Sequence, residues 1–185
     1  MNLKNLILAA IFSAITIVFA QITIPIPFTP IPFTLSMVAV YLSGIILQKK
    51  YALYSMAIYI LLGIIGLPVF GNFSGGVGRI LGPTGGYILS YPIMAFITGW
   101  ILEKFGRKRW WTCTLALTAA LLICYLFGSL WYAWIGHVKW MDSIIFTVIP
   151  FIGMDVVKVL IFAFLGLKLN KALMRAKLLP DTLIK

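Results

Sequence analysis

An all-α integral membrane protein built as a six-transmembrane-helix bundle is the fold class that the sequence predicts. Three observations predict it: a composition that is 62% hydrophobic and only 10% charged, six long apolar runs, and positive charge confined to alternate connections between them. Soluble domains carry about 25% charged residues, and the mean hydropathy here is +1.07. A span needs about 20 apolar residues. Six of them consume nearly all of the 185 positions, so residues 1–185 are expected to form a single membrane domain with no room for a soluble catalytic one.

The apolar runs lie at about 5–20, 33–48, 51–68, 87–102, 112–135 and 144–167. The second is short for a full crossing. Pro68, Pro92 and Pro150 fall near ends, where a helix bends or starts.

Fifteen Lys and Arg against four acidic residues give a net charge of +11, which on a soluble protein suggests nucleic acid. The placement of the charges argues against that partner. Lys4 precedes the first run, Lys49 and Lys50 separate the second and third, and Lys104, Arg107, Lys108 and Arg109 separate the fourth and fifth. Lys168, Lys171, Arg175 and Lys177 follow the sixth, whereas the alternate connections hold only Arg79 and Lys139. The positive-inside rule then makes both termini cytoplasmic. Trp100, Trp110 and Trp111 mark the inner interface and Trp131, Trp134 and Trp140 the outer one, as an aromatic belt does. Lys4, the apolar stretch after it and Val18-Phe19-Ala20 also fit a cleaved leader; retention is expected, and cleavage would leave five spans.

The first outer connection repeats the pentapeptide PIPFT at 25–29 and 30–34. Alternating prolines make a stiff extended segment, suited to a lid or wall across the outer mouth of the bundle or to a rigid linker. Between the third and fourth runs, Gly71 to Tyr87 reads GNFSGGVGRILGPTGGY. Irregular backbone at membrane depth is tolerated only when it is buried or lines a cavity, so the loop is expected to wall a binding site from the outer side. No Lys-Ser or Lys-Thr follows its glycines, and the dinucleotide spacing is absent, so it encodes no nucleotide site.

Within the spans, Asp155 and Lys158 are the ionisable residues clearly distant from an end. Three apart, they share a helix face. Such groups are costly in a membrane and usually face a wet cavity or the bundle interior; a structural ion pair is the alternative. In the first run Ala9, Ala10, Ser13 and Ala14 are small, and Ala10 and Ala14 lie one turn apart, a spacing that lets two membrane helices approach closely. Cys113 and Cys124 fall in one apolar run, eleven residues apart, which argues against their pairing. His137 is the single histidine, so no metal cluster or cofactor is expected, and no catalytic arrangement is visible.

These residues carry a resemblance. GLPVFGNFSGGVGRILGPTGGY at 66–87, IPIPFTPIPFTL before it and PFIGMDVVK at 150–158 together resemble the BioY family, the biotin-binding membrane components of energy-coupling factor transporters. The resemblance implies a substrate-capture subunit of the bacterial plasma membrane, with six helices around a biotin pocket near the outer face. It implies partners in other chains: a transmembrane coupling subunit, docked on Ala10 and Ala14, and two ATPase subunits. Uptake by the protein alone, as an oligomer, is the other arrangement it leaves open.

Biotin offers urea N–H donors, an apolar fused ring and a carboxylate. Asp155 suits the urea donors and Lys158 adds a donor or charge. Ser74, Thr84 and the amides of Gly75, Gly76, Gly85 and Gly86 complete the polar set, with Tyr41, Tyr87 and Trp131 as apolar walls. Some relatives carry an Asn in the Gly-x-Gly-Gly region and an Arg just after Gly-Gly-Tyr. This sequence has Ser74 and Ile88 there, which makes Arg79 the candidate for the carboxylate. Capture of another vitamin, such as thiamine or riboflavin, and a structural protein that binds no small molecule are the competing readings.

Overall fold

The computed structural model describes residues 3–27, 29–107 and 109–175. Lys108, Lys177 and Phe28 of the first PIPFT repeat lie outside the described residues. Among the described residues eight helices follow one another: α1 (Leu3–Gln21), α2 (Ser36–Ile46), α3 (Lys49–Ile64), α4 (Val77–Ile80), α5 (Gly85–Phe105), α6 (Trp110–Gly136), α7 (Trp140–Thr147) and α8 (Ile152–Arg175). Short 3-10 turns occupy Gly71–Phe73 and Ile149–Phe151.

Among the described residues four stretches are long and apolar enough to cross a membrane: α1, α5, α6 and the α7–α8 stretch Trp140–Leu173. The other two expected spans are shorter. α2 has 11 residues and α3 has 16, about 16 and 24 Å at the usual helical rise, against a hydrocarbon core of about 30 Å. The last expected span, 144–167, is broken: α7 ends at Thr147, Pro150 sits in the 3-10 turn, and α8 restarts at Ile152. A proline has no N–H to continue an α-helix but suits the first turn of a new one.

α5 is the most buried of the four membrane-crossing stretches and packs against α2, α3 and α6; α1 lies on α2 and α3, and α8 on α2 and α6. Large apolar side chains point away from the bundle. On α8, Asp155, Lys158, Val159 and Ala163 are buried while Val156, Val157, Leu160, Ile161 and Phe164 are exposed. An outward apolar face of that extent fits lipid, which asks nothing polar of it.

The PIPFT segment forms the turn of a small antiparallel hairpin. β1 (Thr23–Ile24) pairs with β2 (Phe33–Thr34), Thr23 opposite Thr34 and Ile24 opposite Phe33. Ile31, Pro32, Phe33 and Thr34 of its returning arm line the mouth of the bundle.

At the opposite end the basic connections meet. Arg107 donates to the carbonyls of Ile45 and Leu47, the latter at 2.8 Å, and Asn170 of α8 adds a bond to Ile45 at 3.2 Å. These bonds satisfy carbonyls that the end of α2 leaves open. Glu103 accepts the Lys49 backbone N–H at 2.8 Å and pairs with its ammonium at 3.2 Å, capping α3. Burial lowers the Arg107 pKa to about 10, with Glu103 opposing the shift, so the group is charged at neutral pH. Arg107→Met is expected to lower stability by about 1.5–3 kcal/mol, the range for bonds from a charged donor. An unfolding midpoint in detergent equal to wild type would show the carbonyls satisfied without it.

Candidate ligand-binding site

An open-mouthed cavity lies at the end of the bundle away from the basic cluster; its empty space of about 720 Å³ includes solvent at the mouth. Ile31 to Thr34 of the hairpin, the first turn of α2, Tyr59 of α3, Arg79, Thr84, the start of α5, Tyr125 of α6, Thr147 and the start of α8 line it.

The polar floor is built on α8. Asp155 stands in its first turn, where the helix dipole favours an anion. Its Oδ1 accepts from Lys158 Nζ at 2.8 Å, and its Oδ2 accepts from Tyr125 Oη at 2.7 Å. The Lys158 ammonium also lies 3.9 Å from the centroid of the Phe33 ring, a cation–π contact that the hairpin supplies. Asp155 is 2% exposed and Lys158 9%. Charges so far from water persist only when paired and hydrogen-bonded, and both conditions are met.

The walls are aromatic. Tyr59 stacks near Tyr91, centroids 6.3 Å apart, and meets Phe70 edge-on at 5.4 Å. A chain of hydroxyls runs from Tyr91 Oη to Ser36 Oγ at 2.7 Å and on to Thr34 Oγ1 at 2.6 Å. Tyr87 donates to the Thr147 carbonyl at 3.1 Å, tying α5 to the end of α7. Tyr59, Tyr91, Tyr125 and Phe33 are lining residues that the sequence reading missed. The available signal was a tyrosine inside each of three apolar runs, since a buried phenol needs a partner for its O–H.

Five of the expected site residues converge on the cavity: Arg79, Thr84, Tyr87, Asp155 and Lys158. The others stand elsewhere. Ser74 donates to the Gly71 carbonyl at 2.7 Å and closes a tight loop. Gly75 packs its backbone on Leu67 and Gly66: an added Cβ would overlap the Leu67 carbonyl oxygen and lie 2.9 Å from that of Gly66. Gly76 has φ +88° and donates to Gly63 at 2.7 Å, a conformation that excludes most side chains. Tyr41 is fully buried outside the lining. Trp131 donates to the Gly82 carbonyl at 3.0 Å and packs on Gly85 and Gly86: an added Cβ on Gly85 would lie 2.9 Å from its Nε1, and one on Gly86 would overlap its Cβ. The Gly85-Gly86 pair, read from sequence as a bare wall for the ligand, is a close helix contact between α5 and α6.

On α1, Ala10 and Ala14 are exposed, on the same side as Ile7, Ile11 and Val18, while Ala9, Phe12, Ser13 and Thr16 face inward. Cys113 and Cys124 are free and buried on α6.

Comparison with known proteins accords with the layout. A crystal structure at 2.1 Å of the S-component for biotin from an ECF-type ABC transporter superposes with a TM-score of 0.84, at 27% identity over 91% of each chain. The chain is 43% identical over 159 residues to a probable biotin transporter BioY of Pyrococcus horikoshii, covering 85% of this chain and 91% of that one. It is 38% identical over 170 residues to the biotin transporter BioY of Thermotoga maritima, covering 91% and 97%. The same fold, the shared length and a match of residues 1–175 to the family model agree, and this multi-pass plasma-membrane protein belongs to the BioY family.

Proposed function

We propose that the protein is the biotin-capture subunit of an energy-coupling factor transporter. The observation that carries the reading is the composition of the cavity lining: a chain of this family places a neutral Asp155–Lys158–Tyr125 cluster, an arginine and aromatic walls around one open-mouthed cavity. Biotin matches that inventory, with its urea N–H groups suited to Asp155, its ring to Tyr59, Tyr87 and Tyr91, and its carboxylate to a cation. Residues 1–185 act as a single membrane domain of six spans, with α2 and α3 as short crossings and both termini cytoplasmic. Ser74, Gly75 and Gly76 shape the loop above the ligand, and Gly85, Gly86 and Tyr41 hold the helices that carry the lining. The exposed Ala10 and Ala14 face of α1 serves a coupling subunit, through which two ATPase subunits act.

Biotin added to detergent-purified protein is expected to raise the unfolding temperature in a concentration-dependent way, by about 2.7 kcal/mol of stabilisation at 100 times Kd. Thiamine and riboflavin are expected to leave it unchanged. A shift with either of them and none with biotin, in protein freed of co-purified ligand, would overturn the assignment.

A further inference from the structure

The basic end of the bundle carries more positive charge than its own structure uses. Among the described residues Glu103 is the one carboxylate there, since Asp142 and Asp155 stand in the first turns of α7 and α8, and it is committed to Lys49 and Arg107. Arg107 is buried and spent on the carbonyls of Ile45 and Leu47. Lys50, Lys104, Arg109, Lys168, Lys171 and Arg175 are left exposed, with no carboxylate partner among the described residues. These cations are of two kinds. The Lys104 ammonium lies 5.2 Å from the centroid of the Trp100 ring and 5.4 Å from that of Phe105, the Arg109 guanidinium 6.0 Å from Trp111, and the Lys168 ammonium 4.6 Å from Phe164. Those four residues are between 39% and 55% exposed. Lys50, Lys171 and Arg175 have no such ring contact among the described residues. The ring-seated cations also share a side of the bundle: they stand on α5, at the start of α6 and on α8, and α6 packs against both α5 and α8.

A long basic side chain laid along an exposed ring keeps its apolar stem on apolar surface and holds its charge at one height. Exposed tryptophans set that height at the level of the lipid headgroups. We propose that the α5–α6–α8 side of the basic end is a docking surface for anionic phospholipid. Lys104, Arg109 and Lys168 take the negative headgroups, and the rings of Trp100, Phe105, Trp111 and Phe164 lie against the upper acyl chains. Charge complementarity selects the occupant: the surface is cationic and apolar within one side-chain length, and so is an anionic lipid anionic and apolar. An acidic protein segment supplies the charge without the chains that the rings accept.

The test counts phosphatidylglycerol and phosphatidylcholine bound to the detergent-purified chain by native mass spectrometry. Wild type is expected to hold phosphatidylglycerol more tightly by about tenfold or more, since each cation near an anionic surface contributes about fivefold. Lys104→Gln/Arg109→Gln/Lys168→Gln should lose that preference. Lys50→Gln/Lys171→Gln/Arg175→Gln removes the same charge without touching a ring-seated cation, and its preference should stay within about threefold of wild type. All six positions are exposed, so both variants should unfold at the wild-type temperature. Equal loss in the two variants would make net charge alone the attraction and overturn the proposal. A preference that survives in the first variant, or wild-type protein with no preference between the lipids, overturns it as well. Release of phosphatidylglycerol by excess inorganic phosphate would make this a site for free anions, and polyglutamate bound in preference to phosphatidylglycerol would assign the surface to an acidic protein segment; either result sinks the lipid assignment.

Discussion

Lys158→Met is expected to cost about 3–5 kcal/mol of stability and to abolish the biotin-induced rise in unfolding temperature. The cost arises because Asp155, 2% exposed, is left as a buried charge with Tyr125 as its sole donor. The single variant does not separate binding from folding, and a second one does. In Asp155→Asn/Lys158→Met no charge remains at the α8 side, the Asn carbonyl can still accept from Tyr125, and the methionine chain can still lie on Phe33. That double variant is expected to regain most of the lost stability, since replacing a buried pair by neutral groups is often close to neutral. It should nonetheless bind biotin at least tenfold more weakly than wild type, because an amide does not offer the urea donors a carboxylate. Unfolding curves of wild type, the single and the double variant give the stability regained, and a ligand titration on the same samples gives the affinity. Wild-type affinity in a stable double variant would make the pair a structural lock with no role in capture.

What could be read from the sequence follows from how costly each residue is in a membrane. Asp155, Lys158 and Arg79 were legible because an ionisable group near an apolar run needs a reason to be there, and all three line the cavity. Four stretches of the bundle, α1, α5, α6 and α7–α8 together, were legible as long apolar runs. Tyr59, Tyr91 and Tyr125 were not, since a tyrosine in an apolar run is unremarkable until its hydroxyl is seen to face Ser36 or Asp155. The hairpin was hidden too: two residues of pairing on each side leave no period to detect, and the prolines pointed to an extended strap. Tyr41 could not be distinguished from Tyr87, because the same residue type serves one as core and the other as lining. The break between α7 and α8 turned on Pro150, whose effect depends on whether neighbouring helices cover the freed backbone. Glycine was the least informative of all. Positive φ, close helix contact and ligand contact all ask for it.

Gly86→Ala is expected to lower both stability and ligand affinity, and Gly78→Ala neither. At Gly86 an added Cβ would overlap Cβ of Trp131 and stand 2.7 Å from the backbone oxygen of Phe127; at Gly85 it would overlap the Ile80 carbonyl oxygen. Backbone cannot swing aside as a side-chain tip can, so α5 must move away from α6. Overpacking of this kind costs about 1–3 kcal/mol, and more where nothing yields. The displacement reaches the cavity because Thr84 and Tyr87 flank the pair, and the Tyr87 ring lies over Gly128 with its hydroxyl on the Thr147 carbonyl. Gly78 has nothing within 4 Å of an added Cβ and sits in α4, so alanine there gains up to about 1 kcal/mol by restricting the unfolded chain. Unfolding midpoints and biotin titrations of the two alanine variants read both effects. If Gly86→Ala keeps its stability and loses biotin alone, the glycines serve the ligand directly; loss of both together assigns them to the α5–α6 contact that holds the lining in place.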